Sequence, residues 1–438
     1  IVDSGYTYLK TNAGDIDDLS DKAVLTLTVT GYNGLRDAEL CTNNMEKDRI
    51  DYLTPGITYD VYISITDDPN YEDVARTLYI PSASTTEYST ESWNGHADTS
   101  WYNDADTEFT ITTPEQLAGV SLLGENFAGK TILLGADIDM TGYEWVPIDD
   151  FAGTFDGQNH TISGMFSTKS DDYKGLFGYI SSDAEAIIAN VRVEDSIFEN
   201  ATYIGGIAGR IRSGSITNCV SAVVAVGTTY TGGIAGYSDG ATISKCISYG
   251  KILDRYWANT INLNYIGGIV GYISTSKVTN CANFATIYTF PKNNAWLLFK
   301  YTFGGGIVGV SNYKDEIYNC YNAGRIIVHK NGRCGAILGA ASGNVHDNDR
   351  VVVEQCYFLK DTIFTNNAIY AESSITTIKS QKTAWFTSPA SEMSSVCEDG
   401  TAGMNLVNTL NTWSKRVDGT DVWEVTEGNA YPTIIGMP

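Results

Sequence analysis

In the first 85 residues apolar and polar positions alternate with a period of two. Ala23-Val24-Leu25-Thr26-Leu27-Thr28-Val29-Thr30 changes face at every residue, as a strand with one buried side does. Leu53-Thr54-Pro55-Gly56 marks a turn, Thr58 to Ile65 alternates again, and Thr77 to Ile80 closes the series before Pro81. No helical period competes, so residues 1–85 predict a small β-sandwich of immunoglobulin-like or fimbrillin-like kind. The pattern lapses over residues 86–108, which are rich in Ser, Thr, Asp, Asn and Trp and read as a linker or an irregular strap. Thr113-Pro114-Glu115-Gln116-Leu117-Ala118 then supplies a threonine N-cap, a proline at the first helical position and a glutamine three residues after the cap. These signals predict a short helix ending near Gly124, placed to cap whatever follows.

From about 130 to 360 a phrase returns. Gly175-Leu176-Phe177-Gly178 is followed by Gly205-Gly206-Ile207-Ala208-Gly209, Gly232-Gly233-Ile234-Ala235-Gly236 and Gly267-Gly268-Ile269-Val270-Gly271. Gly305-Gly306-Ile307-Val308-Gly309 and the weaker Gly335-Ala336-Ile337-Leu338-Gly339 complete the series, with starts roughly 27 to 38 residues apart, the spacing of solenoid arrays. Downstream lies a second phrase: Ser215-Ile216-Thr217-Asn218-Cys219, Thr242-Ile243-Ser244-Lys245-Cys246 and Lys277-Val278-Thr279-Asn280-Cys281 at one fixed offset. Glu316-Ile317-Tyr318-Asn319-Cys320 is one residue later, and Val353-Glu354-Gln355-Cys356 later still. Two short β-segments joined by a glycine turn predict one coil of a β-solenoid, whose apolar face is buried only by stacking on the next coil at about 4.8 Å. Glycines 206, 209, 233, 236, 268, 271, 306 and 309 fit such a corner through close approach and positive φ. A phosphate-cradling loop does not fit, because no Lys-Ser/Thr follows and the phrase recurs.

Composition narrows the setting. The 438 residues carry a net charge of −24, which repels nucleic acid and anionic lipid headgroups, although solubility alone accounts for such a charge too. Only 18% of residues are charged while 28 are tyrosine, the dress of an extracellular β-protein. No apolar run approaches the roughly 20 residues of a membrane span. The chain opens Ile1-Val2-Asp3 without methionine, so the expectation is a processed or trimmed N terminus, which leaves room for a removed signal peptide or lipid anchor.

Of the eight cysteines, Cys219, Cys246, Cys281, Cys320 and Cys356 fall at equivalent repeat positions and are expected to line up inside the solenoid as compact buried thiols. Neighbouring coils bring their Cα atoms within disulfide range, but the side chains run parallel and five is an odd number to pair. No Cys-x-x-Cys spacing points to a metal, and Cys41 and Cys397 fall outside the ladder. Tyr203, Tyr230, Tyr265 and Phe303 each precede the glycine pair by two residues and predict a stacked aromatic column, structural or a ligand platform. Longer insertions between coils carry Tyr256 and Trp257, then Trp296, Phe299 and Tyr301, the candidate ligand-binding aromatics. Asp137, Asp139, Asp149, Asp150 and Asp156 cluster in sequence and raise glycan cleavage by a carboxylate pair, or calcium binding without EF-hand spacing. No Gly-x-Ser-x-Gly elbow is present, and no catalytic residue, metal or cofactor is assigned.

The Gly-Gly-Ile-Val-Gly-Tyr phrase with its Asn-Cys strand resembles the GLUG repeat of bacterial surface proteins. The lead-in agrees: Ile111-Thr112-Thr113-Pro114-Glu115-Gln116-Leu117, Gly129 to Leu134, Asp137-Ile138-Asp139-Met140, Trp145-Val146-Pro147-Ile148 and Phe151 to Gly164. The resemblance covers roughly 109–360, and Trp423 to Gly436 is similar to the family's closing segment, placing a C-terminal closing part at 361–438. It implies an all-β chain with a right-handed parallel β-helix or close variant, on cell-surface or secreted proteins of gut and oral bacteria, many of them adhesin-like. Similar repeats accompany IgA1 metallopeptidases, whose zinc domain carries His-Glu-x-x-His. The four histidines here, His96, His160, His329 and His346, do not form that pattern, so peptidase chemistry is not expected of this chain. The reading is therefore an extracellular adhesin-like protein whose partner is a glycan or a host or bacterial surface protein, with no nucleic acid and no membrane insertion. Its rivals are a carbohydrate-active β-helix enzyme and a structural stalk.

Overall fold

The computed structural model describes residues 8–10, 24–30, 40–42, 49–51, 58–66, 78–84, 93, 95–168, 171–180, 185–254, 263–289, 302–328, 332–341, 351–359, 378–386, 406–425 and 431–437. The chain divides into two compact units, Ile1–Ser92 and Trp93–Pro438. In the first, Leu40–Thr42, Val24–Thr30, Thr58–Thr66 and Leu78–Ser84 form an antiparallel sheet in that order. Tyr8–Lys10 pairs antiparallel with Arg49–Asp51. The period-two segments of the sequence are the long strands of this unit.

The second unit is a parallel β-solenoid. One coil consists of Tyr230–Gly232, Ala235–Asp239, Thr242–Ser244 and Ile247–Asp254. Each strand pairs in parallel with its equivalent in the coil before and the coil after, as Tyr203↔Tyr230↔Tyr265 and Ile216↔Ile243↔Val278 illustrate. The first two strands of the coils build two six-stranded sheets, and the other two build a single bent 20-stranded sheet. A hydrophobic ladder follows the register: Ile132, Phe155, Ile188, Ile216, Ile243, Val278, Ile317 and Val353 are stacked and fully buried. At about 1.5–3 kcal/mol for each fully buried side chain of this size, such ladders dominate the stability of the stack.

The corners differ from the sequence expectation in their chemistry. The second phrase is not one strand: it breaks before cysteine, where Asn218, Lys245, Asn280, Asn319 and Gln355 adopt φ of +53 to +55°, as Asn190 does before Val191 one coil earlier. Asparagine tolerates this left-handed conformation better than most residues, which explains its recurrence. The side chains also bond along the stack, Asn218 donating to Asn190 at 2.7 Å and Asn319 to Asn280 at 2.7 Å.

The glycine corner, by contrast, uses no positive φ at glycines 206, 209, 233, 236, 268, 271, 306 or 309. What it requires is space. A Cβ on Gly209 would lie 2.7 Å from the Lys174 amide nitrogen and 2.9 Å from the Tyr203 carbonyl, because two strands cross here with no side chain between them. A Cβ on Gly206 or Gly233 would meet Ser221 or Ser248 Oγ at 1.9 Å, and one on Gly268 or Gly306 the side chain of Asn283 or Asn322. Ser221, Ser248, Asn283 and Asn322 form a second buried column in register, two residues after each cysteine. Corner glycine and facing polar side chain thus fill one volume between them.

The helix is Pro114–Leu123, with Thr113 as N-cap accepting from the Gln116 amide at 3.3 Å and Gly124 left-handed at its end. It follows the edge strand Glu108–Ile111, and its buried Leu117, Ala118 and Val120 join the solenoid core at that end. The described part of the strap belongs to this unit: the Asp98 amide donates to the Glu115 carbonyl at 2.8 Å, and Trp101 packs edge-on against Phe109 at 5.4 Å. At the other terminus, helix Leu406–Val417 lies along the flank of the large sheet. Asn319 donates to the Leu410 carbonyl and Ser414 Oγ, each at 3.1 Å, Trp413 stacks on Tyr318, and Trp423 packs on buried Tyr321. This segment is a side cover over Val220, Ile247, Ala282, Tyr321 and Tyr357.

Crowding at the glycine corner predicts which substitutions the coil tolerates. Gly268→Ala puts a Cβ 2.0 Å from the Gly306 carbonyl oxygen and is expected to cost about 3 kcal/mol or more in urea denaturation, as overpacking against backbone does. Gly129→Ala, at φ +72° with open space around it, is expected to cost only about 1–2 kcal/mol. Equal losses would contradict a steric origin.

Candidate binding surface

The five ladder cysteines stand in one buried column. Each thiol approaches a carbonyl of the preceding coil, from Ile188 at 3.9 Å for Cys219 to Ile317 at 3.6 Å for Cys356. Cys219, Cys246, Cys281, Cys320 and Cys356 are free, as is Cys334, which lies in a different sheet against Gly304 and outside the repeated phrase. Burial pushes the thiols of Cys219, Cys246 and Cys320 well above their usual range and that of Cys334 to about 12. Thiolate chemistry is suppressed there.

Four of the sequence-clustered carboxylates cap backbone amides, two within a turn and two on the adjacent coil. Asp137 accepts from the Thr161 amide at 2.9 Å and contacts His160 Nδ1 at 3.0 Å, the amide bond leading in holding its carboxyl below the usual range. Asp139 accepts from the Thr141 amide, Asp149 from the Tyr179 amide, and Asp156 from the Gln158 amide and Asn190 Nδ2, all within 3.0 Å. Among the described residues no three His, Cys, Asp or Glu side chains are grouped to hold a metal ion. A carboxylate far along the chain from that cluster is more unusual. Asp315 is buried and accepts from the Ser276, Asn312 and Tyr313 amides and from Ser311 Oγ, tying together turns of successive coils. Burial outweighs those donors and raises its carboxyl to about 6.

The aromatic column is longer than the sequence phrase suggested and has a companion. Tyr173, Tyr203, Tyr230, Tyr265 and Phe303 stack in register, with centroid separations of 4.9, 4.8, 5.3 and 5.9 Å. Beyond the glycine corner a second column runs Tyr179, Arg210, Tyr237, Tyr272, with Tyr237 and Tyr272 stacked at 4.9 Å. The two columns meet edge to face, Tyr230 against Tyr237 at 5.2 Å and against Tyr272 at 5.5 Å. The signal for the second column was the tyrosine after the last glycine of each phrase, as in Gly236-Tyr237 and Gly271-Tyr272.

All eight of these aromatic side chains, Phe303 included, are half-buried. Such pairs contribute about 0.5–1.5 kcal/mol each beyond their buried area, so the face is rigid. Burial raises the phenols of Tyr203, Tyr237, Tyr265 and Tyr272 and takes Tyr230 to about 12, which keeps them protonated donors. The loop aromatics Tyr256, Trp257, Trp296, Phe299 and Tyr301 lie outside the described residues.

The sequence matches no protein-family model and no curated protein. Among solved structures, the chain is similar to a Bacteroides ovatus protein described as a candidate immunoglobulin A1 protease, with a TM-score of 0.54 and 21% identity over 76% of this chain and 93% of that one. That likeness extends to the fold. A second structure, called IgA1 Protease, aligns at a TM-score of 0.44 and 14% identity, and this chain spans 28% of its length.

Two measurements follow from these environments. Iodoacetamide applied to the native chain is expected to leave Cys219, Cys246, Cys281, Cys320, Cys334 and Cys356 unmodified in peptide mass mapping, and to label them in urea. The Asp315 carboxyl binds its proton more tightly folded than unfolded, so its contribution is complete below 3.8 and is lost as pH rises through about 6. That shift corresponds to about 3 kcal/mol at most, so stability should fall between pH 4 and pH 7 more steeply in the native chain than in Asp315→Asn. Identical slopes would contradict the assignment.

Proposed function

We propose that this chain is a secreted or surface-anchored bacterial binding protein of GLUG-repeat type, and that it holds an extended glycan along the paired tyrosine columns. The observation that supports this is the half-buried aromatic face repeated in register across successive coils. A stalk needs a packed interior but no such outward surface. Large aromatics that are rigid and partly exposed are the side chains on which binding energy concentrates. Their faces are already occupied by one another, so the columns offer ring edges and phenol hydroxyls rather than free platforms. A partner built from a repeating unit meets the same edges at every coil.

Binding without turnover is the reading that fits four of the clustered carboxylates, Asp137, Asp139, Asp149 and Asp156, which accept from backbone amides within a turn or on the adjacent coil. On a glycan array the chain is expected to bind at least one extended polysaccharide. Tyr230→Ala and Tyr237→Ala should each weaken that binding about tenfold, about 1.4 kcal/mol. Full binding by the double variant, or new reducing ends or unsaturated sugars in the incubated polysaccharide, would overturn the proposal.

A further inference from the structure

The second column is interrupted by a cation. Arg210 occupies the register position that Tyr179, Tyr237 and Tyr272 hold in other coils. Its guanidinium lies 4.9 Å from the Tyr237 ring centroid and 5.7 Å from that of Tyr203. Its Nε is buried with no hydrogen-bond partner, and burying an unpaired donor costs free energy. The nearest acid does not supply the bond: Asp239 Oδ2 stands 3.8 Å from Arg210 and 3.8 Å from Arg212, beyond hydrogen-bond reach of either. One carboxylate shared between two guanidiniums leaves the cluster net positive, on a chain whose net charge is −24. Arg212 is half-exposed, and it also bonds Tyr179. Of the other carboxylates that act on these rings, Asp172 sits one coil away, and Asp315 is committed to its turn.

Resting on the glycan reading above, we infer that the polysaccharide bound along the tyrosine columns is anionic, and that Arg210 and Arg212 receive its carboxylate or sulfate groups. A guanidinium stacked on aromatic rings keeps its edge for two-pronged bonding to an oxyanion, which a lysine in the same place cannot reproduce. The columns repeat at 4.8–5.3 Å between tyrosines. An extended peptide advances about 3.2–3.4 Å per residue and presents like-facing side chains at twice that, so it falls out of step with the rings. A chain of pyranose units has a repeat close to that of the coils and stays in step.

The test titrates the full chain calorimetrically with polygalacturonate, hyaluronate and chondroitin sulfate, and with fully methyl-esterified polygalacturonate as the uncharged counterpart. At least one acidic polymer is expected to bind, tenfold or more tighter than the ester, and to weaken as salt is added. Arg210→Gln and Arg212→Gln should each lose tenfold or more, with Arg210→Lys intermediate. Arg192→Gln, whose guanidinium pairs with Glu194 on another sheet, should bind as the native chain does. Circular dichroism and thermal melting confirm that each variant is folded. Equal affinity for acid and ester, or unchanged binding by both glutamine variants, overturns the anionic assignment. So does failure of all three acidic polymers, while neutral-glycan binding that remains sensitive to Tyr230→Ala keeps the tyrosine face. Poly-L-glutamate bound as tightly as the best polysaccharide would replace the glycan with an acidic peptide, and overturn it equally.

Discussion

Parallel, in-register stacking of one coil on the next is the constraint from which the rest of this structure follows. Once strands pair in parallel with register Tyr203↔Tyr230↔Tyr265, every position in a coil sits about one strand spacing from its own equivalents. A residue is therefore selected for how it packs against copies of itself. Isoleucine beside isoleucine, thiol beside thiol and asparagine bonded to asparagine are all solutions to that condition. Tyrosine stacked on tyrosine at 4.8 Å is the same solution on the outward side. The interior columns close the core, and the outward columns inherit their spacing without further design.

The parts of this fold legible in the sequence are those in which one residue type answers one local demand. The threonine-proline-glutamine start of helix Pro114–Leu123 and its left-handed Gly124 end needed no tertiary information. The recurrence of glycine and cysteine phrases gave the coil. Less legible was why glycine recurs: φ at Gly206 or Gly233 is ordinary, and the need is for room beside Ser221 or Ser248, residues far enough along the coil that only folding brings them together. The true left-handed corner lies instead at Asn218, Lys245 and Asn280, where a lysine in the middle of the series blurred the pattern. The flank-lying helix Leu406–Val417 was hidden for a related reason. Its partners Asn319 and Tyr318 lie some 90 residues earlier in the chain.

The candidate site was half visible. Tyr203, Tyr230, Tyr265 and Phe303 announce themselves by their fixed offset from the glycine pair, whereas Tyr237, Tyr272 and Arg210 follow the phrase and join the face only because two strands cross at a corner without side chains between them. That crossing is what turns two separate columns into one surface, and it puts a cation among tyrosines in a strongly acidic chain. Charge at long range and charge at the site thus have opposite signs. Long-range repulsion is screened over about 10 Å at ordinary salt, while the stacked guanidinium acts at contact distance.

Register along the outward column can be measured directly. Nitroxide labels at Tyr173→Cys and Arg333→Cys, with Cys41 and Cys397 replaced by serine, report the distance between the two ends of the first column by double electron–electron resonance. Tyr173, Tyr203, Tyr230, Tyr265, Phe303 and Arg333 occupy successive coils, so the labelled backbone positions should stand about 24 Å apart, five strand spacings of about 4.8 Å, in a single narrow distribution. A broad distribution, or one centred beyond about twice that length, would contradict the stacked register on which the fold and the binding face depend.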